Sequence, residues 1–170
     1  DNDLLKLNLL DALNGNCSRV LVNNSLICVC THGLRDRCCA KFGLPVYTAM
    51  SDDPDLEAWE ITHLGGHRFA ATAAIFPSGI MYGYLTPEHA PILSETIRHN
   101  SIHLPNYRGR TFYDGPTNAA DYFLRNKTKV TGDRVFQLLD SKPTDYGHVV
   151  TFSDKNTAHR IYLAVNPTLG

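Results

Sequence analysis

A chain of 170 residues with 43% hydrophobic and 19% charged content can bury a core of its own, so residues 1–170 read as one domain that needs no staples. Its 16 basic and 17 acidic residues leave a formal charge of −1 and are interspersed rather than blocked, which argues against a nucleic-acid or membrane-surface binder. The apolar runs fall short of the ~18 residues of a bilayer span and no signal peptide opens the chain, so a soluble protein, cytoplasmic or organellar, is expected. The start at Asp1 rather than Met leads to the expectation of a processed precursor or a truncated chain.

Leu4, Leu5, Leu7, Leu9, Leu10 and Leu13 predict a helix over residues 3–14 that ends at Gly15. The largely apolar stretch 20–30 predicts a strand that delivers Cys30 to its C-terminal end, and 31–37 is a polar loop. Cys39 then falls at or near the start of a helix, where backbone N–H groups and the helix dipole stabilise a thiolate. After a turn at Asp52-Asp53-Pro54-Asp55, a strand over 58–62 leads into His63. Gly65 and Gly66 stand between His63 and His67, and two consecutive glycines cost a helix about 2 kcal/mol, so a tight loop is expected that can aim both rings at one metal.

The runs 70–76 and 80–85, joined by Pro77-Ser78-Gly79, read as an antiparallel hairpin. Thr86 as N-cap and Pro87 at the first helical position open a helix that runs to about His99. Arg108-Gly109-Arg110 is expected in a loop, 116–125 as a short helix, and 148–153 with 159–165 as paired strands about Asp154 to Thr157. Trp59, Phe69 and Tyr82 are expected to fill core positions. Strand, helix, strand, strand, strand, helix through the centre describes an α/β domain close to a thioredoxin-like layout.

Four of the five cysteines, Cys28, Cys30, Cys38 and Cys39, fall within twelve residues, a clustering that suits metal or redox chemistry better than a disulfide framework. Cys28 and Cys38 are read as small hydrophobes, Cys17 as incidental, and the glycosylation-type tripeptides at Asn16, Asn23 and Asn126 carry no weight without secretion. Cys30 and Cys39 have eight residues between them, and His63 and His67 have three. Two thiolates and two imidazoles suit a Rieske-type iron-sulfur cluster, and a zinc ion accepts the same four ligands. His32, Arg35, Asp36, Arg37 and Arg68 border these residues and are candidates to hydrogen-bond sulfur or fix ring orientation. His89, His99, His103, His148 and His159 show no partner spacing and are read as surface or packing residues.

The run from Cys30 to Cys39, His63-Leu-Gly-Gly-His-Arg-Phe69, the run from Pro77 to Gly83, and Arg108-Gly-Arg110 together resemble the sucrase/ferredoxin-like family over roughly residues 20–125. The resemblance implies a thioredoxin-like ferredoxin fold, a mixed sheet flanked by helices, to which this chain adds a C-terminal β-hairpin extension. It also implies a 2Fe-2S cluster held by Cys30, Cys39, His63 and His67, the family spacing selecting Cys39 over Cys38. No carboxylate pair suits glycoside hydrolysis, so an electron carrier serving a redox partner protein is expected rather than a substrate-turning enzyme. Neutral imidazoles in place of two thiolates raise the potential, to roughly −150 to +300 mV in Rieske centres. Their second ring nitrogens can take up a proton with the electron, so the potential should fall as pH rises. A structural zinc domain is one alternative, although zinc cysteines usually stand two to four residues apart. A thiol oxidoreductase using Cys38 and Cys39 is another, although no Cys-x-x-Cys is present.

Overall fold

The computed structural model describes residues 25–164 together with Asn8, Leu10 and Asp11. Apart from those three, the helix expected over 3–14, its end at Gly15, Cys17 and residues 20–24 of the first strand lie outside the described residues.

Strand β1 (Leu26–Cys30) is apolar throughout and buried from Ile27 onward, as befits a strand covered on both faces. Helix α1 (Arg37–Ser51) follows, and β2 (Glu57–Ile61) returns parallel to β1 with Glu57 opposite Leu26 and Ile61 opposite Cys30. On the other side of β1 lie β3 (Ala73–Phe76), β4 (Ile80–Tyr82) and β5 (Tyr107–Arg110), each antiparallel to its neighbour. The result is a five-stranded mixed sheet in the order β2-β1-β3-β4-β5, with α1 and α2 (Ala90–Arg98) packed together beside it. Ile27, Val29, Val46, Met50, Tyr82 and Leu93 lie at the centre of its core.

Helix α3 (Gly115–Thr128) begins at Asp114, whose carboxylate accepts the Thr117 N–H at 2.8 Å. It covers a second sheet, antiparallel and three-stranded: β6 (Gln137–Thr144), β7 (Gly147–Ser153) and β8 (Ala158–Ala164). Ala120, Leu124, Phe136, Val150 and Phe152 form the core between them. A buried polar network ties α3 to β5. Tyr107 donates to Asp121 at 2.5 Å, Arg125 Nε donates to the same carboxylate at 3.0 Å, and Arg125 also reaches the carbonyls of Gly132 and Asp133. No helix among the described residues is long and apolar enough to cross a membrane.

The expected architecture, a mixed sheet flanked by helices with a C-terminal β extension, is therefore present, and several local expectations are corrected. The C-terminal extension has a third strand, β6, before the expected hairpin. Arg108-Gly109-Arg110 belongs to β5 rather than to a loop, with Gly109 opposite Met81 and Arg110 opposite Ile80. Its charges mislead because Arg110 is buried, its guanidinium donating to the carbonyls of Ser78 and Asp133, while Arg108 alone of the pair faces solvent. Trp59 is 57% exposed, since β2 is an edge strand, and only Tyr82 of the three expected core aromatics is fully buried.

Candidate metal centre

Three elements deliver the centre. Cys30 ends β1, fully buried, where its N–H donates to the Thr72 carbonyl at 3.0 Å. Cys39 is the third residue of α1, whose start is fixed by Asp36: this N-cap has extended backbone and accepts the Cys38 N–H at 2.8 Å. Gly43, one turn further along α1, lies against the Cys30 carbonyl, so strand end and helix start are in close backbone contact. His63 follows β2, and its Nδ1 is 3.5 Å from Cys39 Sγ and 3.9 Å from Cys30 Sγ. The ligand atoms of Cys30, Cys39 and His63 all lie within 4.8 Å of one another.

His67 stands beside this group of three rather than within it. Its ring centroid is 6.0 Å from that of His63 with the planes 29° apart, and its Nε2 lies 3.7 Å from Asp36 Oδ2. Gly65 and Gly66 make the intervening turn at φ of 85° and 64°, the left-handed region that glycine enters without a side-chain penalty. The tight loop expected between the histidines is the structure found.

The thiol electrostatics correct one expectation. Burial, and then the adjacent Cys30, push the Cys39 thiol up to about 11, outweighing the helix-start effect expected to favour its thiolate. Cys38 is exposed, and its hydrogen bond with the Asp36 side chain pushes its thiol up as well. The Cys38 N–H in turn holds the Asp36 carboxyl below the usual carboxylate range. Burial raises the Cys28 thiol, which takes no part in the group of three. A buried pair of thiols beside an imidazole is a donor set that a cation completes.

Of the bordering residues, Asp36 reaches His67, whereas neither Arg35 nor Arg68 hydrogen-bonds a thiol or an imidazole among the described residues. His32 Nδ1 is buried without a hydrogen-bond partner. Arg68 instead lies 4.8 Å from the Phe69 ring centroid, on which Arg108 also stacks at 3.5 Å. One contributor escaped sequence reasoning. Thr72 supplies the carbonyl that anchors Cys30, a backbone role with no residue-type signal. Away from the centre, His89, read as a surface or packing residue, accepts the Thr86 N–H on Nδ1 at 3.0 Å, the reciprocal half of a capping box in which Glu or Gln is usual.

A profile of the family described as sucrase/ferredoxin-like matches residues 3–109. The chain belongs to this sucrase/ferredoxin-like family. The match takes in nearly all of the stretch before residue 20, outside the resemblance read from the motifs, and stops short of α3. Among curated proteins the chain is similar to the altered inheritance of mitochondria protein 32 of Meyerozyma guilliermondii, 30% identical over 99 residues that cover 52% of this chain and 35% of the relative. The protein of the same name from Debaryomyces hansenii is 33% identical over 100 residues, 52% of this chain and 36% of the relative. The chain thus spans about a third of the length of these relatives. Among solved structures it is similar to a thioredoxin-like [2Fe-2S] ferredoxin from Aquifex aeolicus, with a TM-score of 0.47 and 16% identity over 54% of this chain and 96% of that one. A second structure, of the wild-type Aquifex protein, gives 0.46 and 14% over 51% and 98%.

Proposed function

We propose that this member of the sucrase/ferredoxin-like family is an electron-transfer protein that binds a 2Fe-2S cluster through Cys30, Cys39, His63 and His67 and exchanges electrons with a redox partner protein. The observation that carries the reading is the convergence of two thiols and an imidazole, from a strand end, a helix start and a loop, to within 4.8 Å. Bound there, the cluster would supply a one-electron couple raised by its two neutral ligands. The chain's own residues do the rest. Cys30 and Cys39 give up their protons to bind, Asp36 holds the start of α1 and faces His67, and the histidine rings offer second nitrogens that can carry a proton with the electron.

Iron and acid-labile sulfide assays, with absorption spectra before and after dithionite, test the reading. Two irons and two sulfides per chain are expected, with nitrogen couplings in the electron spin resonance of the reduced state. Cys39→Ser should abolish the centre and Cys38→Ser should spare it, and the reverse result would reassign the thiolate ligand.

A structural zinc site is the second reading, and one observation favours it. Zinc bonds of ~2.3 Å to sulfur and ~2.0 Å to nitrogen place tetrahedral ligand atoms roughly 3.5 Å apart, and His63 Nδ1 lies 3.5 and 3.9 Å from the two thiols. A colourless protein with one zinc and no sulfide would establish it. Thiol exchange is disfavoured, because the Cys38 and Cys39 thiols are both pushed up rather than down.

A further inference from the structure

We infer that the face formed by the two ligand-bearing loops is a docking surface for a protein partner whose contact face is acidic around an apolar centre. The inference deepens the electron-transfer reading by giving its partner a chemistry, and it rests on that reading for the purpose of the contact. Each loop turns one leucine to water. Leu34, between Cys30 and Cys39, is 98% exposed, and Leu64, between His63 and His67, is 37% exposed. These two leucines, brought to the same end of the molecule by the loops that carry the thiols and imidazoles, supply the apolar centre of the proposed contact.

Cations surround these leucines. Arg35, Arg37, Lys41, Arg68 and Arg108 are all exposed, and none has a carboxylate within 4.0 Å among the described residues. Arg68 and Arg108 share the Phe69 ring, two guanidiniums held together with no acid between them. The one carboxylate of these loops, Asp36, is already committed to the Cys38 N–H and His67. Acidic residues gather at the far end of α1 instead, as Asp52, Asp53 and Asp55, while Glu57 and Glu60 of β2 lie opposite Leu26 and Val29, back along the sheet from Cys30. Among the described residues the exposed cations of this face outnumber its carboxylates, so its local charge is positive although the chain's net charge is −1. Such a field orients an acidic partner and speeds its approach, while the apolar centre holds it. The exposed leucine favours a protein over a nucleic acid, which would ask for an extended cationic track.

Two experiments on the purified chain test this. In the first, the dithionite-reduced protein is oxidised by ferricyanide at increasing salt. The local patch predicts a rate that falls about ten-fold between low and ~0.5 M salt, whereas the net charge alone predicts a rise. The Arg37→Glu, Arg108→Glu double variant should lose or reverse the fall; a wild-type rate that rises with salt would overturn the proposal. The second needs no electron transfer: nitrogen-15-labelled protein, in whatever metal form it is isolated, is titrated with the peptide Glu-Glu-Leu-Leu-Glu-Glu. Amide shifts confined to residues 31–37 and 64–69, weakened by Leu34→Ser, support the surface even if the centre holds zinc and the redox reading falls. Shifts scattered over the chain, or binding to phosphatidylserine vesicles in preference to the peptide, would overturn it.

Discussion

Gly43→Ala should dismantle the metal centre while leaving most of the fold in place. In an exposed helix interior the substitution ordinarily stabilises by about 1 kcal/mol, because alanine is the better helix former. Here the added Cβ would lie 2.1 Å from the Cys30 carbonyl oxygen and 3.1 Å from its carbon, and real Cβ contacts essentially never fall below 3.0 Å. Helix and strand must therefore part by about 1 Å, and both contacting atoms are backbone, so no rotamer change relieves the clash. Cys39 rides on that helix and Cys30 on that strand, and metal–ligand distances tolerate only about ±0.2 Å. Overpacking of this kind costs about 1–3 kcal/mol, so the sign of the stability change should invert as well. Metal content and absorption of the purified variant, with urea denaturation of its apo form, measure both effects. Gly115→Ala is the control, since a Cβ there meets nothing within 4 Å. A Gly43→Ala protein that keeps full metal occupancy and gains stability would refute the view that this contact sets the spacing of the thiols.

Arg125→Ala leaves Asp121 buried without its guanidinium and takes the arginine's donors from the Gly132 and Asp133 carbonyls, and should cost about 3–5 kcal/mol in urea denaturation. The Asp121→Leu, Arg125→Met double variant should cost less than that single change; a loss below about 1 kcal/mol for Arg125→Ala would contradict the network. Asp36→Ala removes the cap of α1 and should destabilise the apo-protein by about 1 kcal/mol, with the loss absent in Asp36→Ser; equal losses would refute capping. Asp154 accepts from His159 and from the N–H groups of Asn156 and Thr157, and His159 first among them lowers its carboxyl to about 2. Because the folded value is depressed, its contribution to stability is complete above the ordinary carboxylate value and fades as pH falls toward about 2. In a carbon-13 titration His159→Ala should bring that carboxyl back up, and an unmoved midpoint would assign the shift to the two backbone donors.

The strand–helix pair that carries the thiols was legible because its signals are local and agree. A largely apolar run ends at Cys30 and a polar loop follows, whereas Asp36, read only as a neighbour of the ligands, proves to be the cap of α1. The glycine pair between the histidines was legible for a similar reason, since few other features explain two adjacent glycines there. Strand β6 gave no such signal. It is an edge strand held by pairing with β7, only Leu138 and Ser141 along it are half-buried, and the register shift between Leu138 and Asp140 breaks its alternation. Arg110 and Trp59 misled in opposite directions. Partners distant in sequence satisfy the arginine inside, and an edge position leaves the tryptophan outside.

The same contrast separates the two halves of the centre. The sulfur donors sit on β1, an interior strand of a five-stranded sheet, and on the helix that packs against its end, both secured by backbone contacts at Thr72 and Gly43. The nitrogen donors sit on a loop turned by two glycines, one ring against the thiols and the other toward an aspartate. Donors on regular elements hold their spacing more tightly than donors on loops, so the thiol pair defines where a metal can bind. The histidine loop, which also carries Leu64 and leads into the guanidinium-covered Phe69, is exposed at Leu64 and His67 where the thiols of Cys30 and Cys39 are buried. In an electron carrier, that is the side a partner has to approach.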